Sequence, residues 1–183
     1  MAGFRSITPN ITINTDSGQL RTELLNTFSR LDGQLGQAPY ILTSQNGPIG
    51  NVGAAETDLV TSTINFGTLN RTSASILIFA CGQTAANGNN KTLKLKLGST
   101  TLLTSGALAS NDVDWTLQAE IVFNGGAAQI AWGQFIRNGA SPIVNVATAT
   151  EDFATNLTLK ITGQGSATDD IAVYYWKTVL LGA

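Results

Sequence analysis

Residues Asn87 to Phe123, NGNNKTLKLKLGSTTLLTSGALASNDVDWTLQAEIVF, contain the clearest β-strand patterns of the chain. Leucine alternates with lysine from Leu93 to Leu97, and apolar residues alternate with polar ones from Trp115 to Phe123. Side chains of a β-strand point in turn to the two faces of a sheet, so each segment predicts a strand with one buried and one solvated face. Because the flanking segments repeat this pattern, we predict an all-β chain that forms an antiparallel, jelly-roll-like β-sandwich.

Eight strands are predicted, separated by turns that carry Gly, Asn or Asp, residues that adopt positive φ at low cost. The strands are placed at about residues 57–66, 73–82, 91–97, 100–104, 113–124, 127–137, 142–150 and 156–163. A ninth segment, Ile171 to Leu181, is either a further strand or a replacement for one of these.

Two of the predicted strands lack the alternation. The runs Ser75–Cys81 and Ile171–Trp176 are apolar on both faces. Such strands are either central, with loops over their outer faces, or part of a subunit interface. One small core does not require two strands that are apolar on both faces. We therefore predict that copies of the chain cover these faces in a homo-oligomer.

Residues 1–55 are predicted to form an assembly region ahead of a sandwich domain at residues 56–183. The first 15 residues alternate loosely and predict an extended arm that is too short to bury its own apolar side chains. Those side chains are Phe4, Ile7, Ile11 and Ile13. From Gln37 to Ala55 the density of Pro and Gly predicts an irregular connection.

A helix is predicted between arm and connection. Asp16 and Gln19 have the spacing of a capping box, and Gly33, Gly36 and Pro39 terminate the pattern. The apolar residues form a narrow stripe, which is typical of a coiled-coil seam. We favour contact between copies over packing on the chain's own sandwich. The predicted oligomer contact comprises Leu20, Leu24, Phe28, Leu31 and Leu35.

The composition argues against several partners. Only 12% of the residues are charged and the net charge is −2, against roughly 25% charged residues in an average domain. The Lys and Arg residues are scattered, so we predict no nucleic-acid binding and no anionic membrane surface. No apolar run of about 18 residues predicts a membrane span. The amino-terminal residues lack the apolar core of a secretory signal, so we expect synthesis in the cytosol.

Catalytic and metal-binding patterns are also weak. The chain has no His and one Cys, which removes the commonest bases, nucleophile pairs and zinc sites. Carboxylates occur in pairs at Glu151–Asp152, Asp169–Asp170 and Asp112 with Asp114, an arrangement that suits Ca²⁺ or a glycosidase but also ordinary acidic turns. We predict no enzyme activity, no cofactor and no metal. Cys81 is predicted to be a small core residue. Trp115, Trp132 and Trp176 are each predicted to be a core or interface aromatic.

Residues 56–183 resemble a β-sandwich domain of virion proteins from tailed bacteriophages. The resemblance rests on scattered small and polar residues. These are Ala80–Thr92 running into the Leu-Lys alternation and Gly98, then Ser105-Gly106, Trp115, Gln129, Leu157–Gln164 and Asp170-Ile171.

The resemblance implies a non-enzymatic structural protein of the virion that is made in the host cytoplasm and forms a trimer. The first reading is a head decoration or cement protein whose arm binds the major capsid protein or another virion protein. The alternative is a short fibre or tail component whose sandwich binds a host glycan. A third reading, a free carbohydrate-binding module, would be a monomer with exposed aromatic residues.

Overall fold

A computed structural model describes residues 39–65, 74–109, 114–124, 128–137, 142–152 and 154–182. This part of the chain is all-β, as predicted. Its eleven strands are β1 Tyr40–Gly50, β2 Thr57–Ile64, β3 Ser75–Thr84, β4 Asn90–Leu97, β5 Thr100–Thr104, β6 Leu108–Ala109, β7 Asp114–Phe123, β8 Gln129–Arg137, β9 Ile143–Ala149, β10 Leu157–Gln164 and β11 Ile171–Leu181.

The strands form two antiparallel sheets. The six-stranded sheet has the order β1-β11-β3-β7-β8-β9, and the five-stranded sheet has the order β2-β10-β4-β5, with β6 paired to β4. The alternation predicted for residues 93–97 is confirmed, because Leu93, Leu95 and Leu97 are fully buried while the lysines between them are not.

One core joins the two sheets. Buried apolar side chains from both form a single cluster that includes Ile78 and Leu117 of the six-stranded sheet and Leu95 and Ile161 of the five-stranded one. Trp115 is buried in this core and stacks on Phe135, with ring centroids 5.6 Å apart.

Polar contacts also join the sheets near both sides. The hydroxyls of Thr43 and Ser62 lie 2.7 Å apart, and the Asn145 side-chain amide donates to the Leu102 carbonyl at 2.7 Å. Each contact links an edge strand of the six-stranded sheet to an edge strand of the other.

All nine segments predicted as strands are present, so Ile171–Leu181 is an additional strand. The prediction of an irregular connection is wrong for residues 40–50, which form β1. This strand lies at the edge of its sheet and pairs with β11 through two register shifts, the second of which spans Gly47 and Pro48. An edge position and a bulge accommodate a proline that a central strand would exclude.

The predicted arm and helix, with all of their proposed contact residues, lie outside the described residues. The division of the chain into an assembly region and a sandwich domain therefore stays a prediction for that part.

Candidate assembly surface

The outer face of the six-stranded sheet carries a large exposed apolar surface. Among the described residues, seven of the eight large apolar side chains that are exposed belong to this sheet, and the eighth is Val52 in a loop. The seven are Ile41, Phe79, Ile130, Trp132, Val144, Val146 and Tyr174. Exposed patches of this kind on a domain mark contact sites more often than ordinary solvated surface.

Strand alternation places these side chains on one face. In β3, Ile78 and Ala80 enter the core, so Phe79 between them points outwards. In β9, Ala149 is buried, and Val144 and Val146 lie on the opposite face with 66% and 68% of their surface exposed.

The strand register aligns the outward residues in rows across the sheet. One row crosses all six strands, and it contains a single charged residue. Its members, in order from β1 to β9, are Ile41, Val179, Leu77, Glu120, Trp132 and Val146.

The outward side chains of β7 interrupt the apolar surface. They include Asp114, Thr116, Gln118 and Glu120, which we call the polar strip. The strip is hydrogen-bonded to its neighbours: Gln134 donates to Gln118 at 3.0 Å, Trp132 Nε1 to Glu120 at 3.1 Å and Gln83 to Asp114 at 2.7 Å.

The polar strip divides the surface into two patches of different character. The β11 patch, on one side, comprises Ile41, Leu77, Phe79, Tyr175 and Val179, and it encloses Lys177, which lies between Val179 and Tyr175 and pairs with Phe79. The β9 patch, on the other side, comprises Ile130, Trp132, Val144 and Val146. Leu77 and Val179 are half-buried in the β11 patch, whereas every member of the β9 patch is exposed.

The outer face of the five-stranded sheet is different. It carries Thr side chains and ion pairs, with Lys94 Nζ 2.6 Å and Lys96 Nζ 3.4 Å from the two oxygens of Glu56, and Lys160 Nζ 3.0 Å from Asp58. The hydrogen bond from Lys94 is the main cause that lowers the pKa of Glu56 to about 2. This face suits permanent contact with water, so the two faces of the molecule have opposite chemical character.

The Glu151 carboxylate is hydrogen-bonded to a loop. Its Oε1 accepts hydrogen bonds from the backbone amides and hydroxyls of Ser99 and Thr100, at 2.7 to 3.0 Å. The Gln129 side chain bonds both backbone groups of Glu151. The hydrogen bonds from Thr100 and Ser99 lower the pKa of Glu151, and the Thr100 hydroxyl has the largest effect. They also hold the turn between β4 and β5 against the segment that follows β9.

The buried Asp170 carboxylate fastens a second set of loops. It accepts from the side-chain amides of Asn87 and Asn89 and from the backbone amides of Ser166 and Ala167. Burial alone would raise the pKa of Asp170, but these hydrogen bonds outweigh it and lower the value to about 2.

This network brings together residues that are distant in the sequence and that carry the phage resemblance. Lys91 is fully buried beside it and donates to the Asn87 carbonyl at 2.7 Å. A Cβ at Gly165 would overlap the Asp170 side chain, so glycine is required there for close approach. Asn87 and Asn89 of the segment Ala80–Thr92 and Asp170 of the Asp170-Ile171 pair thus belong to one hydrogen-bonded network that holds the loops together.

The remaining candidate carboxylates do not converge. Asp114 accepts from Gln83, Asp152 accepts from the Ala154 amide at 2.8 Å, and Asp112 lies outside the described residues. Within the described ranges no three or more His, Cys, Asp or Glu side chains gather closely enough to hold a metal ion. The same ranges contain no helix long and apolar enough to cross a membrane.

Trp132 and Cys81 lie outside the core: the core prediction for Cys81 is wrong, and for Trp132 an interface position stays a prediction. Trp115 and Trp176 are buried as predicted, but Trp132 is 45% exposed on the β9 patch. Cys81 is half-buried on the outer face of β3 rather than in the core. The apolar run around Cys81 could not reveal this, because both faces of that strand are apolar.

The assembly surface was only partly foreseen from the sequence. The apolar runs in β3 and β11 indicated a covered outer face, but the contribution of β1, β8 and β9 was missed. The signal was present in β8 and β9, where the even positions Ile130, Trp132, Val144 and Val146 are apolar. Odd positions of the same strands, such as Ala131, Phe135 and Ile143, are apolar as well.

Comparisons with known proteins establish no family. No family model and no curated protein matches the chain. Among solved structures, alginate lyase Aly36B is similar over 73% of this chain and 79% of its own, with 13% identity and a TM-score of 0.36. A variant of that lyase in complex with alginate tetrasaccharide gives 12% identity, 74% and 80% coverage and a TM-score of 0.33. Likenesses at this level carry no argument about fold or activity.

Proposed function

We propose that this chain is a non-enzymatic structural protein of a tailed-bacteriophage virion. Its role would be that of a homotrimeric head decoration, or cement, protein that stabilises the capsid. The observation that carries the proposal is the apolar outer face of the six-stranded sheet, which reaches from Ile41 on one edge strand to Val146 on the other. A protein that functions within an assembly can cover such a face, whereas a free monomer would leave it in water.

The fold assignment within this proposal is a jelly-roll-like β-sandwich. Early strands pair with late ones, β1 with β11 and β2 with β10, so that both ends of the described chain return to the same sheets. Long returns of this kind are typical of Greek-key and jelly-roll folds.

The carboxylates support a structural role. Glu151 and Asp170 both have lowered pKa values and both accept several hydrogen bonds from loop residues. A general acid needs a raised pKa, whereas the pKa of each of these side chains is lowered. We therefore propose no general-acid role for Glu151 or Asp170.

The remaining parts of the proposal come from the sequence. The arm residues Phe4, Ile7, Ile11 and Ile13 are the proposed capsid contact, and the apolar stripe Leu20, Leu24, Phe28, Leu31 and Leu35 is a proposed oligomer contact. The partner is the major capsid protein or another virion protein.

The number of copies per particle tests this proposal. Quantitative mass spectrometry of purified virions, calibrated against the major capsid protein, should give hundreds of copies for a decoration protein. Virions that contain no copies would overturn the assignment.

A second candidate function is a short fibre or tail component that binds a host glycan. It is favoured by Trp132, whose ring is exposed on the β9 patch while its Nε1 is held by Glu120. An exposed aromatic ring held in place by a hydrogen bond is a suitable platform for a sugar. This function predicts a few tens of copies per virion or fewer, and loss of glycan binding in Trp132→Ala.

A further inference from the structure

We infer that β9 of one copy pairs with β9 of a second copy about a two-fold axis, so that their six-stranded sheets continue into each other. The pairing is antiparallel and uses the free edge of β9. The inference goes beyond the proposed homotrimer, because a two-fold contact cannot close a ring of three copies. It links a copy of one trimer to a copy of the next.

Among the four edge strands of the described sheets, β9 is the least protected against pairing. Edge strands are usually blunted by short length, bulges, Pro or charged side chains. β1 contains Gly47, Pro48 and two register shifts, β5 has five residues and a shift, and β2 has a shift and carries Asp58. β9 has seven residues without charge, Gly or Pro, and its register with β8 is unbroken.

The backbone alternation within the six-stranded sheet determines which groups of β9 face its free edge. The Phe123 amide donates to the Ala74 carbonyl, so the backbone groups of Phe123 face β3. Successive residues of a strand direct these groups to opposite sides. Val122 therefore forms a hydrogen-bonded pair with Ile130 of β8, and the next residue, Ala131, faces β9.

Three residues of β9 direct their backbone groups away from β8. Ala131 pairs with Ala147, so the odd-numbered residues of β9 are those that bond to β8. The even-numbered residues Val144, Val146 and Thr148 point their N–H and C=O groups to an edge that no described strand occupies. Their side chains are exposed as well. Each of the three thus offers a donor and an acceptor to an added strand.

This edge is complementary to itself. When the two-fold axis passes at Val146, Val146 lies opposite Val146 of the second copy and Val144 lies opposite Thr148, so all three residues form hydrogen-bonded pairs. Each pair also joins two β-branched side chains. No charged residue lies between Pro142 and Thr150, so no like charges meet at the axis. These features favour a second copy over an extended segment of another protein.

The contact is small. Seven residues span about 24 Å and the edge of a two-sheet sandwich is about 20 Å thick, so the edge offers about 500 Å². A standard interface buries about 800 Å² on each partner. Free copies should therefore pair weakly, whereas trimers held side by side on a particle would pair through several contacts at once. A covalent trap is the suitable test for pairing of this kind.

A disulfide across the axis tests both the pairing and its register in the full chain. The Cα atoms of a hydrogen-bonded antiparallel pair lie about 5.5 Å apart, which a disulfide can span. Cys81, the only cysteine of the chain, is first removed as Cys81→Ser. In this background Val146→Cys should form a covalent dimer under mild oxidation at least about tenfold faster than Val144→Cys.

Val144→Cys is the matched control. The side chains of Val144 and Val146 are 66% and 68% exposed on the same face of the same strand, so random collisions should oxidise the two variants equally. In the inferred register, however, the two copies of position 144 lie about 14 Å apart along the strands, too far for a disulfide.

A mixture of Val144→Cys and Thr148→Cys copies gives a second readout. These positions lie opposite each other, so the mixture should form a disulfide-linked heterodimer at least about tenfold faster than either variant links to itself. Adding Val146→Lys to both copies should suppress this heterodimer, because two ammonium groups then face each other at the axis. Circular dichroism of each variant should show an unchanged fold, since all three side chains are exposed.

Several outcomes would overturn the inference. Val146→Cys that oxidises no faster than Val144→Cys would do so, and this result is expected if the edge binds an extended segment of another protein. A mixture without the heterodimer, or faster self-linkage of Val144→Cys or Thr148→Cys than of Val146→Cys, would exclude an axis at Val146.

These outcomes are separate from those of the proposed function. Virions without copies would refute the structural role even if Val146→Cys links copies in solution. Abundant copies in virions, together with slow oxidation of Val146→Cys, would refute the β9 pairing and leave the structural role intact.

Discussion

Asp170 shows how one buried carboxylate can organise an end of the molecule. Its oxygens accept from Asn87, Asn89, Ser166 and Ala167, which belong to two loops that are far apart in the sequence. Without these donors a buried carboxylate would be strongly destabilising, so the donors and the charge depend on each other.

Acidification should therefore weaken the fold through Asp170. Its pKa is lowered from 3.8 to about 2 in the folded chain, so the ionised form stabilises the fold above about pH 4 and this contribution disappears as the pH falls through about 2. The difference corresponds to about 2 kcal/mol. Asp170→Asn should lose about this much free energy of unfolding at pH 7, and less at pH 3, in denaturant titrations.

Asp152→Asn is the matched control, because this side chain is exposed and accepts from a single loop amide. It should change the stability at pH 7 by no more than about 0.5 kcal/mol. An Asp170→Asn variant as stable as the parent at pH 7 would show that the network does not depend on the charge.

At the scale of the strand, the pairing of β3 with β11 depends on a glycine. A Cβ added at Gly82 would overlap the Ala172 carbonyl of β11 and approach the Trp115 ring at 2.6 Å. The register of the pair shifts beside this point, between Val173 and Tyr175. Gly82 thus permits the close approach of two central strands and of a core tryptophan.

Gly82→Ala should lower the free energy of unfolding by about 1–3 kcal/mol or more, because backbone or Trp115 must move to admit the methyl group. Gly88→Ala is the control, since a Cβ there meets nothing within 4 Å. Denaturant titration of both variants measures the difference. Equal stability of the two would mean that the approach of β3 to β11 is looser than the structure describes.

The sequence predicted best those strands that have one buried face and one solvent-exposed face. In β4 and β7 the alternation is nearly complete, and their bounds agree with the prediction to about one residue. β1 was missed because Gly47 and Pro48 resemble a loop, although an edge strand with a bulge accommodates both. β6 contains only two residues and is defined by its pairing to β4, which no local pattern can reveal.

The patches are a property of the whole sheet, and this explains why the sequence indicated them only in part. The row from Ile41 to Val146 draws one residue from each of six strands that are scattered between β1 and β11. Local patterns identify an outward residue but not its neighbours on the next strand. Register supplies those neighbours, and it depends on long-range pairing.

For the whole molecule we expect no dependence on metal ions. Glu151 and Asp170 are hydrogen-bonded to loops, and Glu56 and Asp58 are paired with lysines. A cation site saturated at about 100 times its dissociation constant would add about 2.7 kcal/mol. Removal of such an ion would lower the melting temperature by about 5–10 °C. Calorimetry with EDTA and with added Ca²⁺ should give melting temperatures that agree within about 1 °C. A fall of several degrees in EDTA would reveal a site.

Attachment to the particle should depend on the apolar residues of the predicted arm. Ile7, Ile11 and Ile13 are apolar residues of the predicted arm, and each would contribute about 1.5–3 kcal/mol if a partner buries it. A trimer presents three arms that bind the particle together. A modest loss of affinity in each arm therefore causes a large loss of affinity of the trimer for the particle. The triple variant Ile7→Ser, Ile11→Ser and Ile13→Ser should keep the trimer but lose binding to particles stripped of their own copies, measured by co-sedimentation. Thr8→Ser, Thr12→Ser and Thr15→Ser together form the control, which should bind like the parent. If the isoleucine variant binds equally well, the arm is not the anchor, and the attachment must involve the outer face of the five-stranded sheet or the loops at the ends of the two sheets.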